Sequence, residues 1–98
     1  MNTYMVSITM PDQKDSEFLS LIPRERQHID GLMERNVVLT YTLSADRTRL
    51  WTTINAESLD SAHEIVNEFP LRKFMAVEIF ELTFHNTAAI RMPTLSMN

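Results

Sequence analysis

Two hydrophobic periods alternate along the chain, and their order predicts its secondary structure. Four segments place apolar residues at every second position, which is typical of β-strands. Two segments place them about every 3.6 positions, which is typical of amphipathic helices. The predicted strands cover residues 3–10, 37–44, 49–55 and 76–84, and the predicted helices cover residues 16–35 and 58–69. The predicted order is β-α-β-β-α-β.

Residues at the ends of these segments support the boundaries. Pro11 follows the first strand, where its missing N–H ends the ladder. Asn36 follows the first helix and suits the left-handed conformation that stops a helix. Ser58 is a good N-cap for the second helix, and Pro70 follows the last helical position.

Pro23 interrupts the first helical pattern. A proline inside a helix removes one backbone hydrogen bond and clashes with the carbonyl four residues back, at a cost of roughly 3 kcal/mol. Two arrangements follow: the main helix begins at Pro23, or one helix kinks at Ser20. Gly31, the only glycine, is either a tolerated surface position or a point of close approach by a neighbouring subunit.

The strand pattern predicts an antiparallel sheet with one open face. The short polar connection 45–48 joins two strands, as in a hairpin. A β-α-β-β-α-β order predicts a ferredoxin-like α+β fold, with both helices on one face of a four-stranded antiparallel sheet. We expect Val38, Trp51 and one side of the last strand to form an apolar patch on the other face. Two such faces packed together would make a homodimer with a barrel-like core.

Length and composition limit the classes of function. The 98 residues suffice for one domain, predicted over residues 1–86 with a C-terminal tail at 87–98. A net charge of −4 argues against nucleic acid as a partner. The longest apolar run, residues 74–77, is far shorter than a membrane span, so no membrane partner is expected. The absence of cysteine and of a secretory pattern at the N-terminus favours a cytoplasmic location.

A family resemblance lies in the second helix and the strand after it. Residues 58–65 read Ser-Leu-Asp-Ser-Ala-His-Glu-Ile, residues 69–71 read Phe-Pro-Leu, residues 74–75 read Phe-Met and residues 77–79 read Val-Glu-Ile. This stretch resembles the muconolactone isomerase family of the dimeric α+β barrel superfamily. The resemblance implies a cofactor-independent isomerase of an unsaturated lactone in aromatic-compound catabolism, assembled as a dimer or a larger ring.

The first helix supplies candidate groups for such chemistry. Moving a double bond in a lactone needs a base beside the carbonyl, a proton donor and a cation for the substrate carboxylate. Glu25 and His28 lie three residues apart, and Arg24 and His28 lie four apart. We therefore predict Glu25 and His28 as an acid/base pair on one helix edge, with Arg24 binding the substrate. The alternative is a solvated helix face.

The strands supply further candidates. We predict that Tyr41, Trp51 and Glu78 line a cavity between sheet and helix, with Glu78 as a catalytic group and the two aromatic residues binding substrate. Glu78 is alternatively a buried carboxylate or a member of an interface ion pair.

The sequence leaves two functions open and predicts neither a metal nor a cofactor. No two of the three histidines have the spacing of metal ligands. The chain is either an enzyme acting on a small carboxylated cyclic metabolite, or a non-catalytic oligomeric binding or accessory protein on the same scaffold.

Overall fold

The computed structural model describes residues 1–86 and has the predicted element order. The strands are β1 (Asn2–Thr9), β2 (Val38–Leu43), β3 (Arg49–Ala56) and β4 (Ala76–Glu81). The helices are α1 (Ser16–Glu34) and α2 (Leu59–Asn67), and a short 3₁₀ helix, Arg72–Phe74, precedes β4. The predicted tail at 87–98 lies outside the described residues.

The four strands form one antiparallel sheet in the order β2-β3-β1-β4. Tyr4, Val6 and Ile8 alternate along the central strand β1 and are fully buried, as period two requires for a half-covered sheet. They form one core with buried residues of both helices: Phe18, Ile29, Leu32, Ala62 and Val66. The predicted ferredoxin-like α+β fold is therefore confirmed.

Helix α1 is continuous through Pro23. The Asp15 side chain caps it by accepting a hydrogen bond from the backbone N–H of Phe18 at 2.8 Å. Pro23 is exposed, and the helix does not begin there, so the first of the two arrangements is wrong. Asn36 has φ 58°, which confirms its predicted role at the end of the helix.

Helix α2 begins as predicted and ends earlier. The Ser58 hydroxyl accepts a hydrogen bond from the Ser61 N–H at 3.1 Å. The helix ends at Asn67, although Phe69 remains buried in the core beyond it. Leu59 is 46% exposed, so the buried stripe of α2 starts at Ala62.

A β-bulge in β2 corrects the predicted position of Val38. The register pairs Val38 with Ile54 and Thr40 with Thr53, which leaves Leu39 as an extra residue. The extra residue shifts the alternation, so Val38 lies on the same side as Tyr41 and is buried in the core. The expectation that Val38 belongs to the open face is therefore wrong.

Strand β4 ends at Glu81, three residues before the predicted end. The register places Glu81 opposite Tyr4, near the start of β1. The Leu82 N–H still donates to the Thr3 carbonyl at 2.9 Å, but the pairing of β4 with β1 ends at Glu81 and Tyr4. Phe84 is accordingly exposed.

The sheet face away from the helices carries an apolar patch. Trp51 is 38% exposed and Phe80 is 52% exposed, with the half-buried Met5 paired directly to Phe80. Within residues 1–86, neither helix has the length and hydropathy that crossing a membrane requires.

Candidate functional site

A cavity of about 200 Å³ opens between the first half of α1 and the β2–β3 hairpin. Its walls are mainly apolar and come from segments distant in sequence, including Met10, Phe18, Ile22, Leu50 and Leu71. Five polar side chains join them: Lys14, Glu25, Arg26, Tyr41 and Arg47. A small apolar cavity with a few convergent polar groups is the usual form of a ligand site.

Glu25 is the charged group at the centre of this wall. It is 3% exposed and, within residues 1–86, the only buried side chain that can ionise to a carboxylate or a cation. The Tyr41 hydroxyl donates to its Oε2 at 2.8 Å, and the Leu71 backbone N–H donates to its Oε1 at 2.9 Å. These two hydrogen bonds offset part of the cost of burying a carboxylate. Glu25 is thereby fixed to β2 on one side and to the turn before β4 on the other.

Helical geometry explains why the three candidates on α1 separate. Glu25 lies seven residues after Phe18 and four before Ile29, so it belongs to the stripe that faces the sheet. Arg24 is one residue earlier, about 100° around the helix, and is exposed. The predicted common edge of Glu25, His28 and Arg24 therefore does not exist, because Glu25 points into the core.

His28 faces a different neighbour. Its ring meets the Phe69 ring edge-on, with centroids 6.0 Å apart, and its buried Nε2 has no hydrogen-bond partner within the described residues. It does not line the cavity that contains Glu25. The predicted pairing of Glu25 with His28 is therefore absent, and the side chain hydrogen-bonded to Glu25 is Tyr41.

Tyr41 is a hydrogen-bond donor at this site. Burial and the adjacent negative charge of Glu25 both raise the pKa of the Tyr41 hydroxyl well above its ordinary value. The hydroxyl therefore keeps its proton at neutral pH. A protonated Tyr41 can donate to Glu25, or to a ligand oxygen in the same cavity.

Trp51 and Glu78 lie on the other face of the sheet. Both pair with Ser7, whose neighbours in β1, Val6 and Ile8, face the helices. Because side chains alternate along a strand, Trp51 and Glu78 point away from the cavity. The prediction that they line it together with Tyr41 is corrected: Tyr41 alone does so.

Sequence reasoning missed the cationic side of the cavity. Lys14 comes from the β1–α1 connection, Arg26 from α1 and Arg47 from the hairpin turn. Arg26 and Tyr41 also line a second cavity of about 220 Å³, together with Ile29, Asp30 and Met33 of α1. Helical spacing could have indicated Arg26, which lies four residues after Ile22 in the same cavity wall, but no local pattern indicates Arg47.

Metal ligands are not gathered at this site. Within residues 1–86, no group of three His, Cys, Asp or Glu side chains has the arrangement that holds a metal ion. The polar groups present are suited to proton transfer and to binding an anion.

Solved structures with the same fold include enzymes. Muconolactone isomerase superposes with a TM-score of 0.70 and 17% identity, over 92% of this chain and 97% of that chain. The second is 5-chloro-2-hydroxyhydroquinone dehydrochlorinase (TftG) from Burkholderia phenoliruptrix AC1100, solved with 2,5-dihydroxybenzoquinone. It superposes with a TM-score of 0.59 and 17% identity, over 85% of this chain and 95% of that chain. The chain therefore has a muconolactone isomerase-like fold.

Similarity at the level of sequence is weaker. No protein-family model matches the chain, and the search of curated proteins gave no significant match.

Proposed function

We propose that the chain is a cofactor-independent isomerase-like enzyme that moves a proton on a small carboxylated lactone or a related cyclic metabolite. The observation that carries this proposal is Glu25, a buried carboxylate in the wall of the cavity with both oxygens hydrogen-bonded. A carboxylate away from bulk water, beside an apolar pocket, is suited to take a proton from a carbon next to a carbonyl.

The residues around Glu25 supply the other groups that the reaction needs. Tyr41 donates a hydrogen bond and can stabilise negative charge that develops on the lactone oxygen. The cations that line the cavity, Lys14, Arg26 and Arg47, replace the predicted Arg24 as the group that attracts the substrate carboxylate. The fold shared with muconolactone isomerase supports this class of reaction for the chain.

Replacing the carboxylate tests the proposal. Glu25→Gln preserves the size of the side chain and an acceptor oxygen but removes the base, so we expect lactone isomerisation with muconolactone as substrate to fall at least 100-fold. Glu64→Gln, on the exposed side of α2, is the matched control and keeps its activity. Circular dichroism checks that both variants are folded.

The same assay tests His28 and Glu78, the other catalytic residues predicted from the sequence. If His28→Ala or Glu78→Gln abolishes turnover while Glu25→Gln does not, the base lies elsewhere and the proposal is wrong. Inactivity of the unaltered protein over a panel of carboxylated lactones would favour the non-catalytic binding protein.

We also propose a homodimer formed through the open sheet face. Trp51, Phe80 and Met5 form an apolar patch there, opposite the side that both helices cover. Packing two such faces together would cover the patch and leave both cavities accessible, since each opens on the helix side of its own sheet.

A further inference from the structure

Arg47, at the tip of the β2–β3 hairpin, has a backbone conformation that arginine rarely adopts. Within residues 1–86, two non-glycine residues have positive φ: Asn36 at 58° and Arg47 at 65°. Asparagine is several-fold enriched in this left-handed region, whereas a long side chain is strained there. Strain of this kind often marks a functional position.

A hydrogen-bond network around Asp46 holds the turn in this conformation. The Asp46 carboxylate accepts from the Ser44 hydroxyl at 2.8 Å, the Thr48 N–H at 3.0 Å and the Thr48 hydroxyl at 2.8 Å. These bonds lower the pKa of Asp46 to about 2, so the network is intact at neutral pH. The Arg47 N–H also donates to the Ser44 carbonyl at 3.0 Å. The backbone of Arg47 is thus fixed on both sides.

The Arg47 side chain lines the cavity but makes no ion pair or hydrogen bond with any of residues 1–86. The chain carries a net charge of −4, so acidic side chains are plentiful, yet none of those in residues 1–86 forms an ion pair with this guanidinium. Lys14 differs, since its ammonium donates to the Pro11 carbonyl and interacts with Asp46. Arg47 is thus an exposed cation that lines an apolar cavity, on a backbone held by the turn, and its guanidinium has no hydrogen-bonding or ion-pair partner among residues 1–86.

We propose that Arg47 is the anchor that selects an anionic group on the ligand of this cavity, which accounts for its strained position. The inference rests on the proposed function and names the residue that sets substrate class. A guanidinium suits a carboxylate, to which it can donate two parallel hydrogen bonds. The cavity of about 200 Å³ is smaller than the roughly 300–1,000 Å³ typical of drug-sized ligands, so the body of the ligand is about the size of one ring.

Benzoate and benzamide are probes that differ in charge and hardly in shape. We expect benzoate to bind the unaltered protein about tenfold more tightly than benzamide in NMR titrations, with shifts at the amides of Glu25 and Leu71. Arg47→Gln should reduce this preference to less than about threefold. Arg35→Gln, at the far end of α1, is the matched control and should keep the tenfold preference.

A second variant separates anchoring from a structural role. Arg47→Asn keeps the left-handed turn with a residue that suits it, so the melting temperature should rise by about 4 °C while the preference for benzoate is lost. If Arg47 has only a structural role, its replacement should lower the melting temperature and leave the preference for benzoate unchanged.

Each remaining outcome counts against the proposal in a distinct way. If both Arg47 variants keep the benzoate preference, or only Arg26→Gln removes it, the anchor lies elsewhere and the proposed function still stands. If benzoate and benzamide bind equally, the cavity does not select charge. This inference then fails together with the substrate carboxylate of the proposed function, while Glu25 as the base is still tested separately by Glu25→Gln. If neither probe shifts the amides around the cavity, the ligand site itself is absent and the proposed function fails with it.

Discussion

At the scale of single residues, the site depends on one buried carboxylate, Glu25, and on the two hydrogen bonds that it accepts. Removing water from Glu25 is costly, and the Tyr41 hydroxyl and the Leu71 N–H offset part of this cost. The Leu71 bond joins residues 46 positions apart, so the carboxylate also fixes the turn before β4. Its position therefore contributes to stability as well as to the proposed chemistry.

Tyr41→Phe tests this coupling through the pH dependence of stability. The folded-state pKa of Tyr41 lies above its unfolded value of 10.0, so its stabilising effect is complete below about pH 10 and is lost as the pH rises further. Above pH 10, the free energy of unfolding should fall more steeply with pH in the unaltered protein than in the variant. The difference between the two slopes should be up to about 1.4 kcal/mol per pH unit. At pH 7 the variant should be less stable by about 1–3 kcal/mol, because Glu25 loses a donor. Urea unfolding from pH 7 to 11 measures both effects, and identical slopes would contradict the assignment.

At the scale of elements, α1 presents different sides to different surroundings. Phe18, Glu25 and Ile29 face the sheet, His28 meets Phe69, and Pro23 lies in solvent. Pro23 is exposed, so the position that interrupts the hydrogen-bond pattern lies away from the side of α1 that carries the core residues. The buried stripe is therefore complete despite the missing hydrogen bond.

Gly31→Ala tests the packing of α1 against its surroundings. Apart from the neighbouring residues and backbone of the helix itself, no atom lies within 4 Å of where a Cβ would stand, and φ is not positive. Alanine should therefore raise the free energy of unfolding by about 1 kcal/mol through helix propensity. Urea unfolding measures the change. A loss of stability that grows with protein concentration would instead show that a neighbouring subunit approaches this glycine closely.

At the scale of the whole molecule, the two faces of the sheet have different surroundings. One face meets both helices and forms the core and the cavity, while the other leaves Trp51 and Phe80 partly in solvent. A sheet with apolar residues on both faces is stable in water when both faces are covered. The proposed homodimer supplies the second cover.

Phe80→Glu tests that dimer. A charge placed in this apolar patch would have to be buried in the proposed dimer, so the molar mass from light scattering should fall from a dimer to the monomer of 11.4 kDa at micromolar concentration. Leu59→Glu, a similarly exposed apolar position on the helix side, should leave the mass unchanged. A monomeric unaltered protein would contradict the face-to-face arrangement.

The sequence by itself determined the order of elements, the N-cap of α2, the stop at Asn36 and the split between a covered and an open sheet face. These features depend on hydrophobic period and on residues close in the chain, which act locally. The tertiary structure alone decided the bulge at Leu39, the end of β4 at Glu81 and the side on which Val38 lies, because each depends on the register with a partner strand. It also decided the site: Glu25, Tyr41, Leu71 and Arg47 come from four segments, and only the packing of α1 against the sheet brings them to one cavity.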